Sequence, residues 1–179
     1  SNPRVGSVTP PVTAVRPHLG EPTLFVHGKP VPLMGFVRYG VTEPELDRMY
    51  ADTGIAVFAD WFGGSLQGAL GQVKPGVYDY GVYDHYFAKV LDAVPDAYFI
   101  PHIGVTAPDW WQDAHPEECC LYSNGMRGPS SMASERWKTE MGEDLRLLIE
   151  HLRKAPYSDR ILGYMFYSGM GDQVDFIRG

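Results

Sequence analysis

Apolar residues along the chain gather into short continuous runs separated by stretches of helical spacing. "IAVFADW" is a continuous apolar run of the kind expected for a strand covered on both faces, and "LMGFVRYG", "YFIPHIGV" with Pro101 inside it, and "RILGYMFYSG" are further strand candidates. Three amphipathic segments lie between them. In "VTEPELDRMYADTG", Leu46, Met49 and Tyr50 share a helical face. Thr42 with Glu45 has the form of a capping box, and Gly54 suits the left-handed residue past a helix end. "YDYGVYDHYFAKVLDAVPDA" places Tyr83, Phe87, Val90, Leu91 and Val94 together. "SERWKTEMGEDLRLLIEHLRKAP" carries the strongest helical signal: Trp137, Met141, Leu145, Leu148 and Leu152 recur every three or four residues, and Pro156 stops it. On this reading "EDLRLLIEHLRK" is a solvated face and nothing more.

The remaining segments lack sustained periodicity. Residues 1–22 are polar and proline-rich and read as a linker or extended arm, leaving 23–179 as the folded portion. "TLFVHGKPVPLM" has apolar runs around His27-Gly28-Lys29, the mark of a short hairpin. "FGGSLQGALGQVKPG" matches no phosphate-binding glycine pattern and reads as a flexible connection. The stretch from Thr106 to about Ala133 is long for a connection, and its aromatic, acidic and proline content favours an ordered loop with a function. The order strand, helix, strand, helix, strand, helix, strand implies parallel strands with helical crossovers. Both an open doubly wound sheet and part of a (β/α)8 barrel, which needs about 250 residues, satisfy that order.

Composition narrows the function more than the fold. A formal charge of −7 and a pI near 5.3 argue against nucleic acid as a partner. No run of eighteen apolar residues is present to span a membrane. The only cysteines, Cys119 and Cys120, are neighbours; a bridge between them is strained, metal-type spacing is lacking, and two free thiols are expected. No metal or other cofactor is implied. The opening residues carry no charged-then-apolar leader, and a leader removed earlier would leave the same beginning, so a secreted or periplasmic site stays open beside a cytoplasmic one.

Four phrases resemble one family. "LFVHGKPVPLMGF", "KPGVYDYGVYDHYFAKVLDA", "APDWWQDAHPEECCLYSNG" and "RILGYMFYSG" are similar, in order and place, to the amino-terminal half of the catalytic domain in β-galactosidase-like glycoside hydrolases of the family 42 type. The resemblance runs from about Leu24 to Gly179. It implies a (β/α)8 barrel, present here as roughly its first four βα units. It also implies retaining hydrolysis of a β-linked sugar by two carboxylates, about 5–5.5 Å apart. The acid would stand at the end of the fourth strand and the nucleophile on a later strand, outside this segment. The substrate would be an oligosaccharide or glycoside, and a second copy of the chain could cover the open edges of half a barrel. The chain departs from the family where Ser168-Gly169 stands in place of Asn-Glu. The nearest acids are Asp175, before Phe176, and Asp172. A carbohydrate-binding protein that has lost its catalytic pair is the alternative.

The same resemblance places the substrate at the carboxyl ends of the strands. Trp61, Trp110 and Trp111 then lie where rings could stack on a sugar, although one of a Trp pair can equally be core. Arg38 and Asp60, ending the first and second strands, could each bind a sugar hydroxyl or pair with each other. His102 is either a ligand or a satisfied core histidine, and Asp109 either a hydroxyl acceptor or a turn residue. Tyr164 and Tyr167 could also reach the site.

Overall fold

The computed structural model describes residues 11–32, 34–37, 43–62 and 70–168. In chain order the elements begin with β1 (Thr13–His18), β2 (Glu21–Val26), β3 (Lys29–Val31), β4 (Gly35–Phe36), α1 (Pro44–Asp52), β5 (Val57–Phe58) and β6 (Trp61–Phe62). There follow β7 (Gln72–Lys74), β8 (Val77–Tyr78), α2 (Gly81–Ala93), β9 (Tyr98–Phe99), β10 (His102–Gly104) and α3 (Asp109–Ala114). The last are β11 (Cys119–Leu121), β12 (Arg127–Ser130), α4 (Glu135–Lys154) and β13 (Met165–Tyr167). These residues form two compact units. The first takes in the described residues up to Trp61, with Gly81–Pro101 and His151–Met165. The second takes in the described residues of Phe62–Tyr80, with His102–Glu150 and those from Phe166 on.

In the first unit, β4, β5 and β9 pair in parallel, with Phe36 opposite Phe58 and Phe58 opposite Phe99. A single parallel bridge adds Ile161 beside Phe99. Parallel pairing is what the alternation of strands and helices requires, since each strand returns through a helix. Phe58, Tyr83, Phe87, Val90 and Phe99 are wholly buried. The Phe87 ring meets Phe99 at 4.7 Å and Tyr157 at 4.5 Å, in the inclined geometries that aromatic quadrupoles favour. These Tyr83, Phe87 and Val90 positions are the apolar face expected of α2. α1 begins one residue later than the capping box implies: Glu43 is its cap residue, and Pro44 opens the helix, where a missing N–H costs nothing. Thr42 lies outside the described residues.

Residues 13–18, inside the expected arm, are a paired strand. β1, β2 and β3 make an antiparallel sheet joined by two tight turns, Leu19-Gly20 and His27-Gly28. All four turn residues have positive φ: 52° and 89° in the first, 49° and 79° in the second. Two consecutive left-handed residues define the turn whose twist matches a right-handed hairpin. The His27-Gly28 hairpin follows from the sequence; the Leu19-Gly20 one does not, because leucine is a poor resident of that conformation.

In the second unit, residues 62, 102–104 and 166–167 build a sheet in the order β13, β10, β6, with the Val105 N–H donating to the Tyr167 carbonyl at 2.7 Å. Two antiparallel hairpins, β7–β8 and β11–β12, complete it.

The expected (β/α)8 barrel, as its first four units, is not what forms. The described residues make five sheets of two or three strands beside four helices, and none of these sheets closes. The cause lies in the apolar runs themselves. Each is cut after two or three residues: β5 from β6 at Ala59-Asp60, β9 from β10 at Ile100-Pro101, and the Ile161 bridge from β13 at residues 162–164. Pro101 has no N–H to give to a ladder. Closing a barrel needs long strands with one common tilt and stagger, which such fragments do not supply. The architecture is a small mixed α/β one.

Leu19 is 93 % exposed, so its side chain gains nothing in return for its positive φ. Replacing Leu19 with Asn, which tolerates that conformation, should stabilise the protein by about 1 kcal/mol in denaturant unfolding. An unchanged or lowered midpoint would show that the turn is not under strain.

Candidate functional site

Asp109 is the first residue of α3, and Trp110 and Trp111 follow it. Pro108, in extended conformation, precedes the helix, and its carbonyl receives the Trp111 and Gln112 N–H groups. Adjacent helical residues point about 100° apart, so two neighbouring tryptophans cannot share one environment. Trp111 is 1 % exposed, and its indole N–H donates to the Glu140 carboxylate on α4 at 2.5 Å. Its ring also meets His115 edge-on at 4.9 Å. Arg136 closes the group: one guanidinium nitrogen lies 2.7 Å from the His115 Nδ1, another 3.6 Å from Glu140. Arginine only donates, so His115 accepts through Nδ1 and carries its proton on Nε2. Trp111 is thus an anchor.

Trp110 is half-buried and held differently. Its indole N–H donates to the Gln72 carbonyl at 3.4 Å, tying α3 to the β7–β8 hairpin. That hairpin turns at Lys74-Pro75-Gly76-Val77, with Gly76 at φ +71° in the position where a proline-led turn demands a glycine. The "KPG" triplet was the signal for it inside the stretch read as flexible. Gly71, at φ +85°, lets the Tyr80 ring lie against the backbone: a Cβ there would sit 2.4 Å from the ring.

The hairpin is also fixed to α4. The Gln72 side-chain amide donates to the Tyr78 hydroxyl at 2.9 Å, and that hydroxyl donates to Asp144 Oδ1 at 2.6 Å. Asp144 is 3 % exposed, and its Oδ2 is buried with no hydrogen-bond partner among the described residues. Burial raises the Asp144 carboxyl above the usual carboxylate range; the Tyr78 bond opposes this, and Glu140 and Glu143 add to it. Tyr78 is pushed up to about 12 by burial and by the same carboxylate. The solvated-face reading of "EDLRLLIEHLRK" therefore fails at Asp144. It holds for Glu143, Arg146 and Glu150, which pair with one another in solvent. Counting three and four from Met141 and Leu148 puts Asp144 on the buried stripe, and that spacing could have found it.

The remaining candidates divide between the units. His102, on β10, is 7 % exposed, and its Nδ1 has no hydrogen-bond partner among the described residues. With Asp109, Trp110 and Trp111 it belongs to the second unit. Asp60, buried at 3 %, and half-buried Trp61 belong to the first. Tyr167 is buried in the second unit; Tyr164 is half-buried in the first, where burial raises its hydroxyl. Arg38, Asp172 and Asp175 lie outside the described residues.

Two further features of the first unit were not anticipated. Asp84 Oδ1, in the first turn of α2, accepts from His151 Nε2 at 2.8 Å and from the Tyr157 hydroxyl at 2.5 Å. A helix N-terminus favours that carboxylate, and Tyr157 is raised by burial and by Asp84. The cluster ties the segment after α4 to α2. A groove of about 460 Å³ lies at the carboxyl ends of α1 and α2, lined by Arg48, Asp52, Ile55, Val94 and Asp96 among others; it contains none of the sequence candidates.

Cys119 and Cys120 are free thiols, with Cys119 held toward the Gln112 and His115 carbonyls and raised by burial. Among the described residues no group of three or more His, Cys, Asp or Glu side chains is placed to hold a metal ion. No helix among them is long and apolar enough to cross a membrane. Set against protein-family models, curated proteins and solved structures, the chain returns no match.

Because the folded-state pKa of Asp144 lies above its unfolded value, its contribution to stability is complete below the unfolded pKa. It is lost as pH rises through the folded one. Asp144→Asn should match the wild type in acid and gain on it as pH rises toward neutrality, in urea unfolding across pH. A difference that does not vary with pH would show Asp144 titrating as an ordinary exposed carboxyl.

Proposed function

We propose that the chain recognises a β-linked carbohydrate on the second unit, with Trp110 as the stacking platform, in the service of glycoside cleavage. The division of labour within the Trp pair carries this reading. The Trp111 indole is spent on anchoring the loop in the core, while that of Trp110, just before it, is half-buried and held by its N–H. Aromatic faces match the apolar faces of sugar rings, and the neutral amide and hydroxyl groups nearby suit an uncharged ligand. His102 adds a buried imidazole nitrogen with unmet hydrogen-bonding capacity among the described residues, a group that a sugar hydroxyl could satisfy. The acidic net charge agrees with a neutral rather than an anionic ligand.

The resemblance to β-galactosidase-like enzymes supplies the chemistry that would follow. One carboxylic acid, Asp175 or Asp172, would protonate the leaving oxygen, and a second carboxylate would attack the anomeric carbon. By that resemblance Ser168-Gly169 stands in place of the family's Asn-Glu pair, and this favours as a second reading a protein that binds sugar without cleaving it.

Calorimetric titration with β-linked galactosides and glucosides tests the binding. Trp110→Ala should weaken it about tenfold or more while costing about 1 kcal/mol of stability through the lost bond to Gln72, and Trp111→Ala should destabilise the fold by about 3–5 kcal/mol. Equal affinity in Trp110→Ala and wild type would overturn the proposal. Because the nucleophile would lie outside this segment, turnover is assayed on a longer chain that carries the later strand: hydrolysis of an aryl β-glycoside that is abolished in Asp175→Asn or Asp172→Asn supports the enzyme, and sugar binding with no turnover by that longer chain supports the second reading.

A further inference from the structure

Resting on the carbohydrate reading only for the nature of the ligand, we propose that Asp144 is a positioning residue for Trp110. It would act through Tyr78 and Gln72 to set how the indole is presented. The path is continuous and lies within one unit. Asp144 accepts from the Tyr78 hydroxyl at 2.6 Å, that hydroxyl accepts from the Gln72 side chain at 2.9 Å, and the Gln72 carbonyl receives the Trp110 indole N–H at 3.4 Å. The final link is long, so the placement of Trp110 depends on where the hairpin holds the Gln72 carbonyl. The Tyr78–Asp144 bond joins that hairpin to α4, and the Gln72–Tyr78 bond carries the link across the hairpin.

The choice of residue at position 144 supports a positional role. Met141, Leu148 and Leu152 on the same stripe are buried at 1 % or less, and an apolar residue would pack among them without a desolvation cost. A carboxylate there leaves Oδ2 buried without a hydrogen-bond partner among the described residues. Replacing a buried charge with an apolar side chain is often neutral or stabilising, so a fold gains little from this one by packing alone. What the carboxylate provides is an acceptor for Tyr78. The titratable groups facing it are Tyr78 from the hairpin, and Glu140 and Glu143 from its own helix; Tyr80 feels its charge from the segment after β8. Glu140 also anchors Trp111, so both tryptophans of α3 are held from α4, one directly and one through the hairpin.

The test follows the indole N–H signals of the ¹⁵N-labelled full chain, which has four tryptophans; Trp110→Phe identifies the signal of interest. Tyr78→Phe and Asp144→Leu should speed solvent exchange of the Trp110 indole proton about tenfold, while Trp111 stays protected. Asp144→Asn, whose carbonyl still accepts from Tyr78, should restore slow exchange. The wild-type Trp110 signal should titrate with a midpoint above the ordinary carboxylate range, and Asp144→Asn should abolish that titration. If Asp144→Leu does not fold, Tyr78→Phe decides. An unmoved Trp110 signal in Tyr78→Phe, or all four indoles loosening together, would overturn the positioning role. Indole responses as expected in a protein that binds no β-glycoside would sink the carbohydrate reading and leave the positioning role standing. Sugar bound at Trp110 with equal affinity in wild type and Tyr78→Phe would do the reverse.

Discussion

A carboxylate placed on the buried stripe of a helix must be met by a donor, and in the second unit the Tyr78 hydroxyl is that donor. Much of the unit follows from this requirement. The hairpin β7–β8 has only a few residues in each strand and cannot be stable alone. Its exposed valines, Val73 and Val77, contribute no core, so it is held by polar links at its ends: Tyr78 to α4 and Gln72 to α3. Gly71 permits the accompanying approach of Tyr80. The hairpin is linked to both helices, and the half-buried tryptophan of the site bonds to it.

The first unit is organised by apolar contacts instead. Phe58, Phe87 and Phe99 are fully buried, and the parallel ladder runs from Phe36 through Phe58 and Phe99 to Ile161. Here the polar cluster of Asp84, His151 and Tyr157 fastens the end of α4 and the segment after it to α2. Where apolar area is ample, as around Phe87, hydrogen bonds add specificity; in the β7–β8 hairpin, whose valines are exposed, they contribute more of the attachment.

Strand and helix positions were legible wherever a single period dominated. α2 and α4 lie where their apolar spacing puts them, and the parallel pairing of β4, β5 and β9 follows from alternation. Hairpins were legible only where an apolar run flanked the turn, as at His27-Gly28. Lys74-Pro75-Gly76 and Asn124-Gly125 carried turn signals too, but the short polar strands beside them gave no periodicity to read. The barrel expectation went too far because an apolar run reports burial, not ladder length, and Pro101 breaks a run that composition leaves whole. At the site, the chemistry of Trp110 and Trp111 was visible, but not which of them is the anchor. That depends on Glu140, twenty-nine residues later in sequence, and on Gln72, thirty-eight earlier. Asp144 escaped notice because its charge suggested solvent while its spacing suggested core, and spacing prevailed.

Mapping amide and indole shifts across the full chain during titration with a β-linked galactoside would examine the carbohydrate assignment most directly. Saturable changes centred on the Trp110 indole, with His102 among the perturbed residues and Trp111 little affected, are the predicted result. Saturable changes centred on the first-unit groove beside Asp52 and Asp96, or no saturable change with any β-glycoside, would contradict it.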